Sequence, residues 1–141
     1  MRELNWSNQG LSTRLSIVMP PKLPRAVRAD QKQLRDIERA AQVALTQETI
    51  AGAFKISVAE MRAPTRRTAP VAQARQIAMY LMHVSFGFSL SAVGRHFGRD
   101  RTTAAHACRQ IEDRRDDAAF DLMIDRLEFA LRMLPGGGMH Q

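Results

Sequence analysis

The stretch that decides the fold is Ser89-Leu-Ser-Ala-Val-Gly-Arg-His-Phe-Gly98, followed at once by Arg99-Asp-Arg-Thr-Thr-Ala-Ala-His-Ala-Cys-Arg-Gln-Ile111. Ser89 is an N-cap type, and the residues after it predict a short helix over about 90–97. Gly98 breaks that helix, and Asp100 is placed to cap the next one, over about 101–114. Val93, Gly94 and Phe97 give the first helix an apolar face with one small residue where a second helix can approach. Ala104, Ala107, Cys108 and Ile111 give the second helix a matching stripe. Once that stripe is buried, Thr102, Thr103, His106, Arg109 and Gln110 share the opposite face. Two short helices joined by a glycine turn form the unit that places its second helix in the DNA major groove. Arg99, Asp100 and Arg101 then lie at that helix's N-terminus. There side chains reach base edges and backbone N–H groups hold phosphate.

Working outward, a longer helix is expected over about 71–86, with Ala74, Ile77, Ala78, Leu81 and Ser85 in one stripe. Before it lies Arg62-Ala-Pro-Thr-Arg-Arg-Thr-Ala-Pro70, read as a basic loop. After the central pair, a helix over about 117–134 carries Phe120, Met123, Ile124, Leu127, Leu131 and Leu134 on one side, with Pro135 and three glycines to stop it. The acids Asp113, Asp116 and Asp117 read as a solvated junction in which Asp116 caps this last helix. Towards the N-terminus, Asp30 is the expected cap of a helix running to about 45, with Leu34, Ile37, Ala41, Ala44 and Leu45 at helical spacing. Thr46 then caps a second short helix with Ile50, Ala53 and Phe54 facing inwards, and Ser57 caps a turn over Val58–Met61. No strand alternation is present, so the fold class is all-α: a compact multi-helix domain over 29–134. Residues 1–28 read as a flexible basic arm and 135–141 as a flexible tail.

The chain has 141 residues, 45% hydrophobic and 25% charged, which is ordinary globular composition for one domain. A single cysteine, Cys108, permits no disulfide within the chain and reads as a packed thiol in a reducing compartment. No apolar run approaches a membrane span, no secretory signal begins the chain, and the expected location is cytoplasmic, at the nucleoid. The net charge of +7 is unevenly placed. Residues 1–61 carry +3, residues 62–115 carry +7 and residues 116–141 carry −3. The middle block holds ten arginines and no lysine. Arginine forms the bidentate forks that suit phosphates and guanine edges. The charge implies a polyanionic partner, and the two-helix unit makes double-stranded DNA the expected one. His83, His96, His106 and His140 show no metal-ligand spacing, and no cofactor is implied. Neither a nucleophile elbow nor a carboxylate pair points to an enzyme.

Three segments carry a family resemblance. Gly98-Arg-Asp-Arg-Thr-Thr-Ala-Ala-His-Ala107 resembles the signature of the C-terminal DNA-binding domain, domain IV, of the bacterial chromosomal replication initiator DnaA. Arg75-Gln-Ile-Ala-Met-Tyr-Leu81 and Ser89-Leu-Ser-Ala-Val-Gly94 are similar to that domain's two preceding helices. The resemblance implies a helix-turn-helix of the Trp-repressor and DnaA domain IV kind that binds short duplex repeats at the replication origin. By position in the motif it implies Arg67, with Arg66 beside it, in the minor groove. It implies Arg75, Gln76 and Thr103 on the phosphate backbone, and Asp100, Arg101 and Thr102 on bases in the major groove. His106 is read as a phosphate contact or as surface packing. Four departures bear on site preference: one glycine, Gly98, where the family has two; Arg101 where it has histidine; Ala69 where it has a basic residue; and Gln73 where it often has arginine. No Gly-x-x-x-x-Gly-Lys-[Ser/Thr] phosphate loop occurs, so the initiator's ATPase module is absent from this sequence.

The expected function is sequence-specific duplex binding that regulates replication initiation or origin-proximal transcription. The alternative is an interaction module that binds a replication-initiation regulatory protein through the arm, with Trp6 as aromatic anchor. A regulator derived from a mobile element is a third possibility.

Overall fold

The structure is a computed structural model that describes residues 22–64 and 68–134. Six helices and no strand occur among the described residues. They are α1 Arg25–Phe54, α2 Val58–Arg62, α3 Ala69–Phe86, α4 Leu90–His96, α5 Arg101–Arg114 and α6 Ala118–Met133. The chain divides into two compact units, 1–36 and 37–141. Of the first, the described part is Lys22–Asp36. Its helical residues start at Arg25, with the Pro24 carbonyl accepting from the Arg28 N–H at 3.0 Å, and every one of them is exposed.

Two corrections concern α1. Helix begins at Arg25, not at Asp30, and so reaches into the segment read as an arm; residues 1–21 lie outside the described residues. The helix also runs unbroken to Phe54. Thr46 does not cap a new helix: its Oγ1 donates to the Gln42 carbonyl one turn back at 2.7 Å, fully buried. The buried face is Gln42, Val43, Thr46, Gln47, Ile50 and Ala51, while Leu34 and Ile37 are 65% and 59% exposed and Ala53 is also exposed. A stripe half made of Gln and Thr carries no clear apolar period, so hydropathy selects Leu34, Ile37, Ala41 and Ala44, which are exposed, while Ile50 is buried and Leu45 and Phe54 pack against the core as expected. The helix ends where Lys55 turns to φ +56° and the Ile56 N–H reaches the Ala51 carbonyl at 3.0 Å, a left-handed cap.

The second unit is organised around α3, which packs against α2, α4, α5 and α6. Ala74, Ile77, Ala78 and Leu81 are fully buried as expected and Ser85 half-buried. Met61, Met82, Val93, Phe97, Ile111, Ile124 and Leu131 complete the sealed core. Ser57 and Glu60 form a reciprocal capping box on α2. Pro70 belongs to the first turn of α3 rather than to the loop, where its missing N–H costs nothing. α6 is capped by Asp117, whose carboxylate accepts from the Phe120 N–H, and not by Asp116. Arg115 fastens this end of the unit: its guanidinium donates to Asp121, Asp125 and the Tyr80 hydroxyl, which donates to Glu112 at 2.6 Å.

Candidate nucleic-acid interface

The α4–α5 pair has the anatomy its sequence requires. Ser89 accepts from the Ala92 N–H at the start of α4, and Asp100 accepts from the Thr103 N–H at 2.7 Å at the start of α5. Between them Gly98 takes φ +62°, a left-handed conformation that suits glycine. Gly94 is needed for a different reason. A Cβ there would stand 2.5 Å from the Arg99 carbonyl oxygen and 2.9 Å from that of Asp100. The Arg99 N–H also donates to the Gly94 carbonyl at 2.8 Å. Backbone thus lies directly on backbone, and α5 leaves the turn at one fixed angle. Ala104, Ala107 and Ile111 are buried below it.

That burial leaves Arg101, Thr102, Thr103, His106 and Arg109 exposed along the outer face of α5. The Asp100 carboxylate is also exposed; hydrogen bonds from Thr103 hold it below the usual carboxylate range. Gln110, on the same face, is half-buried because its Oε1 accepts from the Gln76 Nε2 of α3 at 2.7 Å. Gln76 therefore braces α5 against α3.

Two arginines are more enclosed than their type suggests. Arg75 is 8% exposed; its Nε donates to the Met61 carbonyl at 2.7 Å, and its Nη2 is buried with no hydrogen-bond partner. Arg99 is half-buried and forks between the Phe97 carbonyl at 2.9 Å and the Ala63 carbonyl at 2.8 Å. Burial first, and then the positive charge of Arg99, lower the pKa of Arg75. Both arginines line a concavity of about 100 Å³ together with Gln76, Thr103 and His106, floored by Ala72, Met79 and Ala107. Among the described residues neither arginine forms an ion pair. Two cations with an unfilled buried donor, beside the N-terminal turn of a 14-residue helix, make a site suited to an anion. Arg95 and Arg62, which the sequence reading did not single out, add to the field: their charges, after burial, lower the pKa of His96. Their signal was the all-arginine middle block.

The structure thus brings Arg75, Gln76, Arg99, Thr103 and His106 around one concavity, with Arg101, Thr102 and Arg109 of α5 and its N-cap Asp100 outside it. Arg66, Arg67 and Trp6 lie outside the described residues. No group of three or more His, Cys, Asp or Glu that could hold a metal occurs among the described residues, and none of their helices is long and apolar enough to cross a membrane. Cys108 is half-buried and packed against the core, and burial raises the pKa of its thiol to about 11.

Residues 43–111 match the family described as the bacterial dnaA protein helix-turn-helix. This part of the chain is similar to the helix-turn-helix of the bacterial DnaA protein. The chain is 46% identical over 70 residues to the chromosomal replication initiator protein DnaA of Azoarcus sp. and, at the same identity and length, to that of Aromatoleum aromaticum. Those residues are 49% of this chain and 14% of each relative, so the chain corresponds to a small part of either initiator. The matched region starts at Val43, next to Gln42, the first buried residue of α1, and ends at Ile111, the last buried residue of α5. The exposed first half of α1 and the whole of α6 fall outside it.

Proposed function

We propose that this protein binds duplex DNA at short sites of the kind the initiator recognises, and so regulates replication initiation or origin-proximal transcription. The reading rests on one observation above the rest: Arg75 and Arg99 share a concavity with Thr103 and His106, uncompensated by any acid among the described residues. A DNA phosphate supplies the missing acceptor, and docking it there lays α5 along the major groove. Arg101 and Thr102 then face base edges, with Asp100 able to accept from a cytosine amino group. Arg66 and Arg67 are assigned to the adjacent minor groove by their place in the motif. Arg109, one turn beyond His106, reaches a further phosphate.

Arg101 sits where the family has histidine, so the preferred base at that position shifts towards guanine, which arginine reads with two hydrogen bonds. The test is a fluorescence-polarisation titration of labelled duplexes carrying an initiator-type site, the same site with guanine placed opposite Arg101, and a scrambled sequence. Selective binding that Arg101→Ala weakens by about 1–3 kcal/mol, mainly on the preferred site, supports the reading. Equal affinity for all three duplexes refutes it. With about six phosphates neutralised, the logarithm of affinity falls against the logarithm of salt with a slope near −5.

A further inference from the structure

α6 has two apolar faces, and only one is used. Phe120, Ile124 and Leu131 are buried against the core. On the opposite side Leu122, Phe129 and Met133 are 50%, 65% and 66% exposed, with exposed Arg126 between them. Their spacing of four, three and four residues is that of a coiled-coil seam, with Arg126 and Met133 at one core position and Leu122 and Phe129 at the other. None of these residues belongs to the DNA-facing set, and α6 lies outside the DnaA-type match.

We infer that this stripe is a dimerisation surface and that its occupant is α6 of a second copy of the chain, packed antiparallel about a two-fold axis. The seam is self-complementary in that arrangement and in one register. With the axis level with the Leu127–Glu128 peptide, Leu122 meets Met133 of the second copy and Arg126 meets its Phe129, twice each by symmetry. The second pairing sets a guanidinium against an aromatic face, a favourable contact that also explains a cation inside an apolar stripe. The same register places Asp125 opposite Arg132 of the second copy, again twice. Asp125 and Arg132 keep 54% and 59% of their side chains exposed despite their contacts with Arg115 and Glu128. A symmetric pair of this kind is the commonest form of soluble oligomer. One 16-residue helix per copy is less than the roughly 800 Å² per partner of a standard interface. The dimer is therefore weak in free solution and is reinforced when both copies occupy neighbouring sites on one duplex.

The decisive measurement is the mass of the full chain in solution by sedimentation velocity over a concentration series, which does not depend on DNA binding. The wild type moves from monomer to dimer as concentration rises. Phe129→Ser removes apolar area from both copies at once and raises the dissociation constant at least about tenfold. Asp125→Arg and Arg132→Asp, each alone, place like charges opposite each other and give monomers. Mixed in equal amounts, the two variants restore opposite charges at both positions and form a heterodimer. All substituted side chains are exposed, and Arg115 retains Asp121 in the Asp125 variant; thermal unfolding confirms that each variant is folded. A wild type that stays monomeric throughout overturns the inference. So does a dimer indifferent to Phe129→Ser, or a failure of the two charge variants to associate on mixing.

Discussion

Arg99 donates to the carbonyl of Ala63, thirty-six residues earlier in the chain, at 2.8 Å, while its second nitrogen holds the Phe97 carbonyl at 2.9 Å. The turn between the two helices is thereby tied to the end of α2, where the basic loop begins. Arg99 is thus a clamp as well as a cation, and its replacement has two separable effects. Arg99→Ala leaves two carbonyls without their donor and lowers stability by about 1–3 kcal/mol, seen as a lower Tm with no DNA present. It also lowers the salt slope of DNA binding by about one unit if a phosphate is seated against the guanidinium. Arg99→Lys recovers little stability, because a single ammonium does not span both carbonyls. An unchanged Tm for Arg99→Ala contradicts the clamp.

His96 gives the fold a pH dependence near neutrality. Burial, and then the charges of Arg95 and Arg62, hold its imidazole below the ordinary value of 6.5, so the folded state favours the neutral ring. The unfolded chain binds the proton more readily, and stability falls as pH drops through 6.5 towards the folded pKa. Thermal unfolding at pH 7.5 and at pH 5.5 is expected to show a lower Tm at the acid value in the wild type. His96→Asn flattens the difference; an equal drop in that variant assigns it to another group.

The sequence reading succeeded where local chemistry and packing agree. Ser89, Gly98 and Asp100 mark their helix boundaries by backbone need, and α5 follows with Ala104, Ala107 and Ile111 beneath it. It failed where polar residues were recruited into the interior. Gln42, Thr46 and Gln47 are buried on α1 while Leu34 and Ile37 are not, so the apolar pattern breaks at Thr46 and its first half marks an exposed face. The motif leads one to expect Arg75 on a phosphate, an exposed role, whereas the side chain is buried. Its enclosure follows from a tertiary partner, the Met61 carbonyl fourteen residues away, which no local period records.

Gly94 carries a heavier constraint than Gly98. Gly98 faces open space and needs only its positive φ, so Gly98→Ala costs about 1 kcal/mol of strain. At Gly94 a methyl group runs into the backbone carbonyls of Arg99 and Asp100, which shift only if the whole turn opens. Gly94→Ala is expected to cost about 1–3 kcal/mol of stability and to weaken DNA binding beyond that loss by tilting α5. Urea unfolding ranks the two variants. A cost at Gly94 no larger than at Gly98 means the turn is more pliable than its contacts imply.

The unfilled Nη2 of Arg75 makes the concavity testable without any DNA. An anion that fits there binds the folded chain and not the unfolded one, so it raises Tm by mass action. Inorganic phosphate is expected to stabilise the wild type over chloride at matched ionic strength. General exclusion effects of phosphate act on every variant alike, which makes the comparison between variants the informative quantity. Arg75→Met keeps bulk in the site and removes the guanidinium. It is less stable in chloride, because the Met61 carbonyl loses its donor, and it loses the extra gain from phosphate. His106→Ala, at the exposed rim, keeps the chloride Tm and retains only part of that gain. If Arg75→Met responds to phosphate as fully as the wild type does, the anion is not held by this arginine, and the docking of a DNA phosphate beneath the start of α5 loses its principal support.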